Sequence, residues 1–260
     1  MPGSAAPTVV TVGVSTKMYL GYSASLAWLT GIRGEVESRP LLRGRVQIFV
    51  VPSFPVLESA RRILDGTGVL LGSQNCAAEA GAFTGEVSAG LLAELGVDLV
   101  EIGHAERRRL FGETDAIVRT KVGAVRAAGL TPLLCIGEND QGSVGGAVDQ
   151  CIAQVESALG GATPVSEILL AYEPVWAIGA AEPAPPDYVN QVVAELRSTL
   201  ADVLGRPAGM IYGGSARPGL LPQLQFLDGL FLGRFAHDPA NFGVVLDEAL
   251  TRADAPRAQP

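Results

Sequence analysis

Short apolar segments recur along the chain, separated by segments of helix-forming residues. The apolar segments are nearly continuous rather than alternating, which is typical of parallel strands covered on both faces. They predict eight strands, at residues 8–14, 46–51, 69–75, 97–103, 130–137, 167–173, 209–214 and 228–233. The segments between and after them predict helices near 23–32, 55–64, 88–95, 115–128, 147–159, 186–203, 218–225 and 241–251.

This eightfold alternation predicts an α/β fold, a (β/α)8 barrel that forms a single domain over residues 1–260. An open, doubly wound parallel sheet is the alternative. No linker interrupts the series, and we expect the terminal segment 252–260 to be a frayed tail.

Composition and charge exclude several classes of protein. A hydrophobic share of 48% with 18% charged residues argues against extended disorder, and a net charge of −8 argues against a nucleic-acid partner. No apolar run approaches the ~18 residues of a membrane helix, so no membrane contact is expected. Three cysteines without metal-ligand spacing, and no export signal, predict reduced thiols and a cytoplasmic location.

Residues with reactive or hydrogen-bonding groups follow the ends of the predicted strands. They are Lys17 after the first strand, His104 and Glu106 after the fourth, Glu173 at the end of the sixth, Ser215 after the seventh and Gly233 after the eighth. Each has an ordinary structural explanation when taken alone. In a barrel, however, these positions converge on one mouth, where catalytic side chains collect, so we expect a single active site.

Four segments carry a family resemblance. AYEPVWAIG (171–179), GHAERR (103–108) with FGET (111–114), QNCAAEAGAFTGE (74–86) and YGGS (212–215) resemble the signature segments of triosephosphate isomerase. The resemblance runs from about residue 10 to about residue 250. It implies interconversion of glyceraldehyde 3-phosphate and dihydroxyacetone phosphate through an enediolate, a reaction of glycolysis and gluconeogenesis, without a metal or other cofactor.

The resemblance also implies roles for the catalytic residues. Glu173 is the base that moves a carbon-bound proton, and His104 is a neutral electrophile that stabilises the enediolate. Segment 105–112 is expected to begin the helix whose N-terminus faces that imidazole. Lys17 holds the anionic substrate and transition state, and Glu106 supports Lys17.

Substrate binding falls to a second set of residues. By the same resemblance, Ser15 occupies the position of a polar contact to the substrate, and the phosphate is expected to bind at Gly179, Ser215, Gly233 and Arg234. Such a site relies on backbone N–H donors more than on charge, in keeping with an acidic protein.

Two loops have expected roles beyond substrate binding. Residues 174–179, which include Trp176, resemble the front of a mobile lid that closes over the intermediate. The loop Gly81–Glu86 resembles one that inserts into a neighbouring subunit, which predicts a homodimer.

Positions around the substrate depart from the family's pattern, and they leave the substrate open. They are Ser15, Thr16, Tyr19, Ala105, Arg234 and His237. Either they are neutral changes in an enzyme of trioses, the preferred interpretation, or they mark an isomerase of a four-carbon ketose phosphate such as erythrulose phosphate in polyol breakdown. A sugar-phosphate sensor is a remoter alternative that the intact Glu173 argues against. An aldolase with a Schiff base on Lys17 is another, and Glu106 argues against it.

Overall fold

The computed structural model describes residues 9–161, 167–180, 182–205 and 208–255, and within them eight parallel strands close into a barrel in chain order. The strands are β1 (Val10–Ser15), β2 (Val46–Val51), β3 (Leu70–Ser73), β4 (Leu99–Ile102), β5 (Thr131–Ile136), β6 (Leu169–Tyr172), β7 (Gly209–Tyr212) and β8 (Gly229–Leu232). Pairing of β1 with β8 completes the ring. The prediction of a (β/α)8 barrel is therefore confirmed, and the alternative of a doubly wound sheet is wrong. Thr8, at the start of the first predicted strand, lies outside the described residues.

Helices surround the barrel in the described part of the chain. They are α1 (Tyr22–Glu37), α2 (Leu57–Leu64), α3 (Ala89–Glu94), α4 (Ala105–Phe111), α5 (Asp115–Ala127), α6 (Val144–Leu159), α7 (Pro186–Leu204) and α8 (Pro239–Asp254). In α7, Val189, Val192, Leu196 and Leu200 recur every three or four residues and are buried against the sheet. No helix in the described ranges is long and apolar enough to cross a membrane.

The connection between β7 and β8 differs from the prediction. In place of a helix over 218–225, the chain forms only a 3₁₀ turn, Leu221–Gln223. Pro218 and Pro222 lack the N–H groups that a helix interior needs, and Gly219 adopts a positive φ of 81°. The segment therefore cannot continue as an α-helix.

The first residues of the predicted frayed tail belong to a helix. Helix α8 continues to Asp254, and residues 256–260 lie outside the described residues. The Arg252 guanidinium donates a hydrogen bond of 2.6 Å to the Gln225 carbonyl, and Asp254 forms an ion pair with Arg45. These contacts hold the last turn of the helix against the body of the barrel.

Apolar side chains form an inner cluster and an outer layer. The inner cluster fills the barrel and consists of Phe49, Val51, Leu99, Leu133, Cys135, Ala171, Ile211 and Phe231. The outer layer lies between the strands and the helices. Because Glu101, Glu173 and Ser15 are also buried and line the cavity at the barrel mouth, the apolar filling gives way to polar groups at the carboxyl ends of the strands.

The three cysteines, Cys76, Cys135 and Cys151, are free and buried. Burial raises the pKa of the Cys76 thiol to about 11, so this thiol stays protonated at neutral pH. They pack as small apolar side chains in the structure.

Candidate active site

One cavity of about 450 Å³ opens at the carboxyl ends of the strands. Every site residue predicted from the sequence lines it: Ser15, Lys17, His104, Glu106, Glu173, Gly179, Ser215, Gly233 and Arg234. The structure therefore brings together side chains and backbone from the loops after β1, β4, β6, β7 and β8.

Glu173 follows β6 directly and is only 4% exposed. Two glycines make room for it. A Cβ atom on Gly213 would lie 2.6 Å from the Glu173 Cδ atom, and one on Gly137 would lie 2.6 Å from its carbonyl carbon. The backbone after β7 thus leaves room for the Glu173 side chain and the backbone after β5 leaves room for its main chain. The Glu173 Oε2 atom lies 3.4 Å from Nε2 of His104.

His104 is the N-cap residue of α4, as the prediction of a helix start at this point required. Its Nδ1 atom accepts a hydrogen bond of 3.0 Å from the backbone N–H of Glu106. An acceptor nitrogen carries no proton, so the proton of the neutral ring is on Nε2, the atom directed toward Glu173 and the cavity. The imidazole can therefore donate a hydrogen bond to an oxygen that becomes negative during a reaction.

Lys17 has an unusual backbone: among the described residues it is the one non-glycine with a positive φ, 46°. Its carbonyl oxygen accepts hydrogen bonds from the Ser53 hydroxyl at 2.9 Å and the Gln74 side-chain amide at 2.7 Å. These bonds hold a conformation that costs about 1–3 kcal/mol, and such strain commonly occurs at functional sites. Ser53 and Gln74 were not among the predicted site residues.

The Lys17 ammonium is paired with Glu106, whose Oε1 atom lies 2.6 Å from Nζ. Partial burial alone would raise the pKa of the Glu106 carboxyl, but the hydrogen bond from Lys17 and its charge lower it below the usual value. Glu106 is therefore ionised at neutral pH and fixes the direction of the ammonium group at the edge of the cavity.

The loops after β6, β7 and β8 form the side of the cavity where the phosphate was predicted to bind. Gly179 has a positive φ of 75° and an exposed backbone. The Ser215 hydroxyl donates a hydrogen bond of 3.0 Å to the Ala180 carbonyl, which joins the loop after β7 to the predicted lid. Gly233 is the N-cap residue of a 3₁₀ turn over Arg234–His237.

Three residues that depart from the family's pattern pack on one another. The Arg234 guanidinium lies 5.6 Å from the centroid of the Tyr19 ring, and the Tyr19 and His237 rings are 5.7 Å apart. Burial and the Arg234 charge lower the pKa of His237. Because Tyr19 and Arg234 also line the cavity, these departures form one connected change in its wall.

Glu138, in the loop after β5, connects the neighbourhood of Glu173 to the predicted lid and was not predicted as part of the site. This carboxylate is buried and accepts hydrogen bonds from the Trp176 indole at 2.8 Å and the Tyr188 hydroxyl at 3.0 Å. It also accepts one from Tyr172, the residue before Glu173. Trp176 is thus half-buried and anchored at the front of the lid segment.

Glu101 is a further cavity residue that sequence reasoning missed. It belongs to β4, is 4% exposed and lies near His104, Glu173 and Lys17. Burial raises the pKa of its carboxyl group to about 7, and the Glu173 charge adds to this effect. The available signal was a single glutamate among the apolar residues of β4, LVEI.

The fold and this site define an enzyme class. A barrel whose mouth combines a buried carboxylate, an imidazole with its proton on Nε2 and an ion-paired ammonium can move a proton on an anionic substrate and stabilise the resulting oxyanion. Among the described residues no cluster of histidine, cysteine or acidic side chains is arranged to hold a metal ion.

Comparison with known proteins identifies the family. The triosephosphate isomerase family model matches residues 10–249, and the chain belongs to that family. It is a sugar-phosphate isomerase. The crystal structure of triosephosphate isomerase from Bartonella henselae superposes with a TM-score of 0.79 at 30% identity, covering 94% of this chain and 99% of that one.

Individual relatives differ in their names. The L-erythrulose-1-phosphate isomerase of Pectobacterium atrosepticum is 48% identical, over 93% of this chain and 96% of its own. The L-erythrulose-1-phosphate isomerase of Rhizobium etli is 44% identical, over 88% of each chain. The triosephosphate isomerase of Chlorobium phaeovibrioides is 40% identical, over 77% of this chain and 84% of its own. The four-carbon alternative is therefore better supported than the preferred triose interpretation and its glycolytic assignment.

Proposed function

We propose that this protein isomerises a four-carbon ketose phosphate, with L-erythrulose 1-phosphate as the first candidate. The observation that carries the proposal is that the proton-transfer residues are present while Tyr19, Arg234 and His237 form one connected change beside them. Tyr19 and Arg234 both line the cavity, so this change alters the wall that the substrate would meet. The relatives at 48% and 44% identity support the same substrate.

The chemistry of this substrate fixes which bonds change. In L-erythrulose 1-phosphate the carbonyl is on carbon 2, and carbon 1 is esterified to phosphate, so the adjacent carbon with a free hydroxyl is carbon 3. Glu173 removes the proton from carbon 3 and returns it to carbon 2, while the carbon 3 oxygen becomes the new carbonyl. The product is again a ketose, numbered from its other end as erythrulose 4-phosphate, and no electron leaves the substrate. With a triose phosphate the same steps interconvert a ketose and an aldose.

The surrounding groups stabilise the enediolate of this reaction. The Nε2–H of His104 donates to the oxygens that gain charge, and the Lys17 ammonium, held by Glu106, faces the same anion. Gly179, Ser215, Gly233 and Arg234 bind the phosphate on the other side of the cavity. The lid that begins at Pro174 excludes water while the intermediate is present.

Steady-state kinetics tests this proposal most directly. We expect kcat/KM for L-erythrulose 1-phosphate to exceed that for glyceraldehyde 3-phosphate by at least tenfold, with solvent deuterium entering the substrate. Glu173→Asp, which withdraws the carboxylate by one methylene, should lower kcat about 100-fold or more with little change in KM. Glu37→Asp on the surface of α1 is the matched control and should change neither constant.

The contrary outcomes separate the alternatives. A higher kcat/KM for the triose would restore the triose assignment. Tight sugar-phosphate binding without deuterium exchange would instead indicate a sensor. Borohydride trapping of substrate on Lys17 would indicate an aldolase, although an ammonium ion-paired with Glu106 has no lone pair with which to attack a carbonyl.

We further propose a homodimer that uses the loop Gly81–Glu86. Phe83 in this loop is 49% exposed, and Met18, in the loop after β1, is 89% exposed. Exposed apolar side chains of this size on neighbouring loops are typical of a protein interface. Light scattering should give twice the chain mass for the wild type and a shift toward monomer for Phe83→Asp; a monomeric wild type would contradict the proposal.

A further inference from the structure

We propose that Glu101, together with Ser15, binds the hydroxyl group that a four-carbon ketose phosphate has and a triose phosphate lacks, and thereby sets the substrate preference of the site. This inference rests on the proposed function above. It gives a role to a buried acidic residue that the proton-transfer chemistry does not use.

The barrel topology places Glu101 away from the phosphate. The strands follow one another around a closed ring of eight, so β4 lies opposite β8, the strand that carries Gly233 and Arg234 at its end. A substrate anchored by its phosphate near Gly233 therefore extends its unphosphorylated end toward the β4 side. Glu101 lines the cavity on that side.

The strand register places Glu101 at the floor of the cavity. Leu99, two residues earlier on β4, and Leu133, its neighbour on β5, both belong to the apolar cluster inside the barrel. Since alternate residues of a strand face the same side, Glu101 also faces the interior, one step nearer the mouth. It is the point at which the apolar filling ends and the substrate cavity begins.

Ser15 is a second buried polar residue beside Glu101. It is the last residue of β1, is 4% exposed and lines the same cavity, and its hydroxyl opposes the effect of burial on the pKa of the Glu101 carboxyl group. No cation among the described residues forms an ion pair with Glu101. A buried carboxyl group without an ion-pair partner retains hydrogen-bonding capacity that is costly to leave unused.

The protonation state of Glu101 suits a hydroxyl ligand. Burial keeps a large fraction of this carboxyl group protonated near pH 7, because its pKa is about 7. A protonated carboxyl group has both a donor and an acceptor, so it can satisfy the hydrogen and the oxygen of one hydroxyl. A charge at the same place would instead repel the enediolate that forms between His104 and Glu173.

The expected selectivity follows from the unused hydrogen bonds. A three-carbon substrate has no hydroxymethyl group to reach the floor, and Glu101 keeps its unmet hydrogen bonds when that substrate excludes water. Sites built to bind a substrate hydroxyl discriminate strongly against analogues that lack it. Loss of this interaction should therefore lower the tetrulose-to-triose ratio of kcat/KM by roughly 100-fold.

Two substitutions at position 101 test the assignment. Glu101→Leu removes the hydrogen-bonding groups at similar volume and should lower kcat/KM for L-erythrulose 1-phosphate about 100-fold while preserving or raising it for glyceraldehyde 3-phosphate. Glu101→Gln keeps a neutral donor and acceptor and should retain the ratio within about tenfold. Leu133→Val, beside Glu101 but outside the cavity lining, is the control and should leave the ratio unchanged.

The outcomes separate this inference from the proposed function. An equal fall for both substrates in Glu101→Leu would assign Glu101 a structural role and overturn the inference, and so would a Glu101→Gln ratio as low as that of Glu101→Leu. If Glu101→Leu does not fold, Ser15→Ala and Glu101→Gln still report the ratio. A wild type that prefers the triose refutes the proposed function itself, before any variant is compared.

Discussion

The protonation of Glu101 makes a prediction about stability that is independent of any substrate. In the folded protein the pKa of this carboxyl group is about 7, against an ordinary value of 4.5. Between these two values the folded chain keeps a proton that the unfolded chain has released. The contribution of Glu101 to stability is therefore fully present below pH 4.5 and is lost as the pH rises to 7.

Replacement by glutamine removes this titration. From pH 5.5 to pH 8.5, the shift between the two pKa values should lower the free energy of unfolding of the wild type by about 2 kcal/mol more than that of Glu101→Gln. All other titrating groups are common to both proteins and cancel in the comparison. The stabilising effect of glutamine should therefore grow with pH.

Urea denaturation followed by circular dichroism measures this difference. Both proteins are unfolded at pH 5.5, 7.0 and 8.5 at the same chain concentration, and their m-values should agree, so that midpoints report free energies of unfolding. If the difference in the free energy of unfolding does not change with pH, Glu101 titrates as an ordinary glutamate and the argument from its burial is wrong.

Two further substitutions test the room that Gly213 leaves for the base, and the second lysine. Gly213→Ala forces the Glu173 carboxylate to move by about 1 Å, so kcat should fall roughly 100-fold, whereas Gly34→Ala, at an exposed position of α1, should leave kcat unchanged; an unchanged kcat in Gly213→Ala would show that the Glu173 side chain does not need this room. Lys121→Met removes one of the two cations paired with the buried Glu113, and urea unfolding should show a loss of about 3 kcal/mol. A loss under about 1 kcal/mol would indicate that the ion pair adds little.

The site residues could be predicted from the sequence because they follow strands. Once eight parallel strands are recognised, closure of the barrel brings Lys17, His104 and Glu173 to one mouth whatever the details of packing. The prediction that the phosphate binds at Gly179 and Gly233 came instead from the family resemblance. Topology predicts which residues at strand ends lie together, and the resemblance predicts what each of them does.

Other features depend on contacts that no local pattern reports. Glu101 lies inside a continuous apolar strand, where nothing in the sequence indicates which residues face the barrel interior. Glu138 is important because Trp176 and Tyr188, distant in the chain, direct their donors at it. The helix predicted over 218–225 is absent because the length of a segment between two strands does not determine its conformation. The prolines in this segment prevent an α-helix.

The hydrogen bond that caps α4 couples His104 to Glu106, and through Glu106 to Lys17. A second proton on His104 would turn Nδ1 from an acceptor into a donor that faces the Glu106 N–H group. The first turn of the helix would then lose its cap, and Glu106 would move with its hold on Lys17. Charging the imidazole would therefore also shift the Lys17 ammonium at the edge of the cavity, so the protonation state of His104 and the position of Lys17 are coupled.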